Sequence, residues 1–217
     1  MKSLITIGRE VGSGGFEIGK RLADKLGLAF YDEEIITRAS QESGIAPEFF
    51  KNADEKNTDL FSKFCGNFAN SILNPTTNSI LDSNSLFNIQ SDVIREAATE
   101  NGAVFVGRCA DFILREELGL LSVFIYSDEQ YKIDRYRTYK KVVDIDEMDD
   151  EKVLALLHKA DKKRKEYYDY FTFQEWGKVQ NYHLCLNSSK FGIQGCVDII
   201  EAVSDAKSGQ FQYQNPK

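Results

Sequence analysis

The sequence predicts an α/β fold built on a parallel sheet, and three observations predict it. The chain opens with an apolar, β-branched run, Leu4 to Ile7, which passes through a glycine-rich loop into an amphipathic segment ending at Leu26. Further short apolar runs alternate with stretches of helical spacing, a pattern that requires parallel strands joined by right-handed crossovers. Polar residues cluster just after three of those runs, at Gly12 to Gly15, at Asp32, and at Arg108 with Asp111. Open α/β sheets bind their ligands at such strand ends.

In chain order, Leu4 to Ile7 reads as a buried strand. Ile18, Leu22 and Leu26 recur at helical spacing, and Gly27 stops that helix. Leu28 to Tyr31 is a second strand closed by Asp32, and Glu33 to Ser43 is a helix with Ile35, Ile36 and Ala39 inward. Residues 47–84 are polar and Asn/Ser-rich, with Phe61, Phe64 and Phe68 on one helical face. They open a helical insertion spanning 47–100, whose last part is a helix from Leu86 to Glu100. Ala103 to Val106 is the third strand and Leu121 to Tyr126 the fourth. A basic, aromatic helix starts at Asp128, and another runs from Glu151 to about Tyr170. Tyr182 to Leu186 is the last strand and Ile193 to Val203 the last helix. Residues 205–217 form a polar, flexible tail. The chain of 217 residues suits one domain over 1–217.

Composition narrows the partners. A net charge of −7 argues against a nucleic-acid binder or an anionic-membrane binder, and no apolar stretch is long enough to span a bilayer. Cys65, Cys109, Cys185 and Cys196 form no CxxC pair and read as reduced, mostly buried thiols of a cytoplasmic protein. His158 and His183 are the only histidines, which argues against a zinc site or a Ser-His-Asp triad; no residue is assigned as a metal ligand.

Gly8, Gly12, Gly14 and Gly15 crowd a strand-to-helix junction. Glycine there costs chain entropy and is useful where backbone N–H groups must close on an anion at the positive end of a helix. A dinucleotide fold, with Asp32 on the ribose, is the rival reading. Its fingerprint needs glycine where Glu17 stands and a first glycine close to the strand, whereas Arg9, Glu10 and Val11 separate Gly8 from Gly12. The longer loop favours mononucleotide phosphates over a nicotinamide-dependent oxidoreductase. A Walker A loop places Lys and then Ser or Thr after its last glycine; here Gly15 and Phe16 follow Gly14. Arg9 is the loop's own cation, and a guanidinium reaches far enough to assume part of the missing Lys role.

The chain resembles the cytidylate kinase-like family, a branch of the P-loop nucleoside monophosphate kinases. The resemblance is carried by Gly8-Arg9 with Gly12-Ser13-Gly14-Gly15 and Ile18-Gly19, by Tyr31-Asp32 with Ile35-Ile36, and by Val106-Gly107-Arg108-Cys109-Ala110-Asp111. Asp161-Lys162-Lys163-Arg164 with Tyr167-Tyr168, and Asn181-Tyr182-His183-Leu184-Cys185-Leu186-Asn187, complete it. It implies a three-layer P-loop kinase-like fold with a five-stranded parallel sheet. The 47–100 insertion then lies on the acceptor side, and 127–176 form a helical lid.

The implied activity is that of an ATP-dependent small-molecule kinase of the nucleoside monophosphate type. ATP and Mg²⁺ are the implied cofactors, and a small anionic acceptor, CMP by inference, is the partner. Gly12, Ser13, Gly14 and Gly15 would bind donor phosphates together with Arg9. Asp32, Arg38, Arg108 and Asp111 would hold the acceptor. Arg135 and Arg164 would stabilise the transition state, and Asp161 would orient an Arg. The sequence departs from the family pattern at Gly15, at Phe16 and Glu17 in place of the metal-binding hydroxyl, at Gly107 in place of an acid, and at Cys109 in place of the Asp after Gly-Arg. The missing Lys keeps a second class open, a nucleotide-binding sensor or scaffold without efficient transfer. Lys132, Lys140, Lys141, Lys159 and Lys162 read as a solvated basic face. Tyr167, Tyr168, Tyr170, Phe171, Phe173 and Trp176 read as side chains that seat the lid hinge.

Overall fold

A near-continuous apolar run, Leu4, Ile5 and Ile7 with only Thr6 between, places β1 (Leu4–Arg9) at the centre of the sheet, since both of its faces must be covered. The computed structural model describes residues 3–32, 83–99, 102–139 and 148–210. Arg38, the Glu33 to Ser43 helix and most of the 47–100 insertion lie outside the described residues. β1 is followed by β2 (Ala29–Tyr31), β3 (Ala103–Val106), β4 (Leu120–Tyr126) and β5 (Leu184–Asn187). All pairs are parallel and the order is β2-β3-β1-β4-β5. Ile5 sits between Val104 and Leu121, and Ile7 between Val106 and Val123.

The period of two divides the core into two layers. Ile5, Ile7, Val104, Val106, Val123 and Ile125 meet α1 (Gly15–Leu26) and α6 (Ser188–Gln210) through Ile18, Leu22, Val197 and Ile200. Leu4, Phe105 and Leu120 meet α2 (Ser83–Ala98), α3 (Ala110–Ile113) and Tyr168 of α5 (Asp150–Thr172). Each such buried side chain contributes about 1.5–3 kcal/mol relative to exposure. α1 stops as expected, because Gly27 adopts φ 64° and donates its N–H to the Ala23 carbonyl.

α4 (Glu129–Tyr139) and the first half of α5 form a third, smaller core. Ile133, Val153 and Leu157 are buried there, with Val11 of the glycine loop against them. This attachment seats the expected lid segment directly on the loop.

The structure corrects several local readings. Lys132 is 5% exposed and not part of a solvated face, while Lys159 and Lys162 are exposed; Lys140 and Lys141 lie outside the described residues. Tyr167, Tyr168, Phe171 and Trp176 pack on the core, but Tyr170 and Phe173 are exposed. α6 starts at Ser188, breaks at Gly192, and runs to Gln210, so 205–210 are helical and not tail. Cys109 and Cys196 are buried free thiols and Cys185 a partly buried one. No described helix is long and apolar enough to cross a membrane.

Candidate phosphate-binding site

The loop between β1 and α1 is held from both sides. Ser13 donates its hydroxyl to the Glu10 carbonyl at 2.8 Å, and the Ser188 hydroxyl donates to the Ser13 carbonyl at 2.6 Å. The fully buried Ser13 side chain therefore shapes the loop and is not offered to a ligand. The Glu10 carboxylate accepts from the Ser127 N–H at 3.1 Å and from the Lys132 ammonium at 3.0 Å. Gly12 and Gly14 have φ of 79° and 81°, which only glycine adopts without strain. Gly12 is also needed for space: a Cβ there would lie 2.9 Å from the Lys132 carbonyl oxygen.

Among the described residues, the amides of Gly12, Gly14, Gly15 and Phe16 have no protein acceptor. They belong to the N-terminus of α1, a helix of 12 residues, and to the loop just before it. Arg135 of α4 covers this spot: its Nη2 is 3.1 Å from where a Cβ of Gly14 would stand. The same nitrogen donates to Glu17 at 2.7 Å, and Glu17 also takes Arg21 at 2.6 Å. A cluster of open amides beside a guanidinium has the chemistry to hold an anion.

Arg9 takes another direction. Its stem fills the space in which a side chain at Gly15 would begin, and its guanidinium lies over Gly107, just past β3. It pairs with Asp32 at 3.6 Å, and both side chains are nearly buried. Arg9 thus joins the phosphate loop to the ends of β2 and β3 and does not lie over Gly12 to Gly14.

At the end of β3, Gly107, Arg108 and Cys109 all have positive φ, of 80°, 57° and 56°. Two successive non-glycine residues in that region store about 1–3 kcal/mol each, a cost typical of functional turns. Gln90 of α2 holds the turn by donating to the Arg108 carbonyl at 3.1 Å and also reaches the Tyr167 hydroxyl at 3.2 Å. Asp32 and Arg108 therefore stand at neighbouring strand ends. Asp111 does not join them: it accepts from the Tyr168 hydroxyl at 2.7 Å, and burial pushes its carboxyl up. It ties α5 to the β3 turn.

Asp161 and Arg164 of α5 clasp the loop backbone. Asp161 accepts from the Val11 N–H at 2.8 Å, and Arg164 donates to the Arg9 carbonyl at 3.1 Å. Their own pairing is loose, at 3.5 Å. Burial raises the Asp161 carboxyl to about 6; Arg164, the Val11 N–H and Lys132 oppose this, and Glu10 reinforces it. A raised carboxyl favours the folded state when protonated, so its contribution is full below the unfolded value of 3.8 and is lost as pH rises through about 6. Asp161→Asn keeps an acceptor for Val11 and removes the titration. Urea unfolding should then lose a slope of up to about 1.4 kcal/mol per pH unit between those values. Identical pH profiles for the two proteins would show that the clasp does not titrate.

Residues 4–190 match the sequence pattern described as the cytidylate kinase-like family. The chain belongs to that family. An uncharacterized protein from Eubacterium ventriosum is 25% identical, with a TM-score of 0.66 over 94% of this chain and 99% of that one. Shikimate kinase from Bacteroides thetaiotaomicron is 14% identical at 0.51, covering 94% and 98%. A gluconokinase from Sinorhizobium meliloti is 12% identical at 0.50, covering 98% of each. These last two establish a shared P-loop kinase fold. No curated protein matches the chain.

Among the described residues, the metal implied for this cytidylate kinase-like chain does not find its usual ligands. P-loop proteins hold Mg²⁺ between a Ser or Thr just after the loop and an acid at a strand end. Those positions are Phe16, which stacks edge-on against Phe30, and Gly107, which lies under the Arg9 guanidinium. The carboxylates of Glu17, next to Phe16, and of Asp32, at the end of β2, are in ion pairs with Arg135 and Arg9. Glu10, Glu17, Lys132 and Ser188 are working parts of the site that the motifs did not single out.

Proposed function

We propose that this protein is an ATP-dependent phosphotransferase acting on a small anionic acceptor of the nucleoside monophosphate type, with CMP as the first candidate. The observation that carries the proposal is the set of open amides at Gly12, Gly14, Gly15 and Phe16, with Arg135 beside Gly14. The donor triphosphate lies on those amides, with Arg135 on its outer oxygens. The acceptor lies at the ends of β2 and β3, facing Asp32 and Arg108, with Arg38 supplied from beyond β2. An acceptor phosphate oxygen, largely deprotonated near about pH 7, needs no general base. It forms a bond to the γ-phosphorus as the bond from that phosphorus to the ADP oxygen breaks. Catalysis is then positioning and charge stabilisation, which the Asp161–Arg164 clasp supports by fixing the loop. A cytoplasmic location belongs to the same proposal and rests on the free thiols.

Thermal unfolding with nucleotides, followed by ADP release with candidate acceptors, tests this. ATP at about a hundred times its Kd should stabilise the fold by about 2.7 kcal/mol, a shift of about 5–10 °C for this chain length. CMP should add to the shift and start ADP release. ATP binding with no ADP release from any nucleoside monophosphate would replace the kinase by a sensor. Absence of any nucleotide-induced shift would overturn both readings.

A further inference from the structure

We infer that Arg9 supplies, from within the protein, the positive charge that P-loop proteins draw from Mg²⁺ at the same place, so that this site takes the metal-free triphosphate. The inference rests on the proposed nucleotide site and deepens it. Three observations converge on it. The Arg9 stem occupies the start of the space that a Walker Lys would need at Gly15. The Arg9 guanidinium ends over Gly107, between the first turn of α1 and the end of β3. Both positions that would ligate a metal there, Phe16 and Gly107, lack a donor side chain.

Two glycines have thus been cleared for one side chain. Any side chain at either position would displace Arg9. Arg9 is only 12% exposed on its side chain and is fixed at its far end by Asp32, so its charge is presented in one place. A planar guanidinium can bridge oxygens of two phosphates, as a bound divalent ion does. Metal-free triphosphate carries more negative charge than its metal complex, and the site answers it with Arg9 on one side and Arg135 on the other. Asp32 tempers Arg9 when no ligand is present. A divalent ion arriving with the nucleotide would meet a like charge at its own position, and the carboxylate beside it, Asp32, is already paired with Arg9.

The test is calorimetric titration of the full chain with ATP in EDTA and in excess Mg²⁺. Affinities within about threefold of each other are expected. Arg9→Ala should weaken binding in EDTA by about tenfold or more, Arg9→Lys by less, and Asp32→Asn should strengthen it. ATP binding that needs Mg²⁺ would overturn the inference and leave the proposed function standing. Unchanged affinity of Arg9→Ala in EDTA would also overturn it. Binding in neither condition would overturn the proposed function and this inference together. The comparison on the unaltered chain does not depend on any variant folding.

Discussion

Gly14→Ala is expected to weaken ATP binding by about a hundredfold or more while the fold survives, a loss of about 2.7 kcal/mol of binding energy. Gly14 sits at φ 81°, where an L-residue is strained by about 1–2 kcal/mol. Its new Cβ would enter the space between the open amides and Arg135, 3.1 Å from Nη2, and would press on the end of the Ile193 side chain. Ile193 can turn aside, so the cost to folding stays near the backbone strain, a fall of about 2–8 °C in Tm. A ligand phosphate has no such freedom. Gly12→Ala should behave differently. Its Cβ would strike the Lys132 carbonyl oxygen at 2.9 Å and the Lys132 Cα at 3.0 Å, atoms that move only if α4 moves. That variant should lose more stability than Gly14→Ala. Calorimetric titration and thermal unfolding of the two proteins side by side distinguish these costs. Normal ATP affinity in Gly14→Ala would mean that the loop amides are not the anion site.

The frame was legible because it depends on local signals. A β-branched run, a glycine cluster and a 3.6-residue period fix β1, the loop and α1 without knowledge of the rest of the chain. The same holds for the three strand ends where Gly12, Asp32 and Arg108 stand. The direction of Arg9 is not carried by motif spacing, which groups it with the donor-phosphate loop; strand alternation explains it. Side chains alternate along a strand, so Arg9 shares the face of Ile5 and Ile7 toward α1, while Glu10 shares the face of Gly8 toward α4 and α5. Alternation alone therefore sends Arg9 under the helix start and away from the loop's outer rim. Lys132 was not legible. On its own helix it reads as one cation among several, and the acid that buries it, Glu10, is 122 residues away. Asp161 is similar: the resemblance has it orient an Arg, and only tertiary contact reveals the Val11 N–H as its donor. Asp111 was placed with the acceptor because it follows β3 closely. Three successive positive-φ residues turn the chain there, which carries Asp111 back toward Tyr168.

Arg135→Ala is expected to lower the rate of phosphoryl transfer by about a hundredfold to a thousandfold, the scale for loss of one charge-stabilising donor. Arg135 stands beside Gly14, its Nη2 3.1 Å from where a Cβ there would lie, and it is held there by Glu17 at 2.7 Å. The pair is partly exposed, at 17% and 23%, so its contribution to folding is small and Tm should change little. The consequence for binding is larger than the loss of one contact. With Arg135 removed, the Glu17 carboxylate remains in the first turn of α1, where it competes with phosphate for the helix's positive end. Glu17→Gln in the unaltered protein should therefore tighten ATP binding, because Arg135 no longer shares its charge with an internal anion. Adding Glu17→Gln to Arg135→Ala should recover part of the lost affinity but none of the lost rate, since the guanidinium that meets the transferring group is still absent. Arg135→Lys should keep affinity better than rate, because an ammonium supplies charge without the two-pronged geometry. Steady-state kinetics and titration of these four proteins decide the matter. Equal loss of rate in Glu17→Gln and Arg135→Ala would assign the pair a structural role and move the stabilising cation elsewhere.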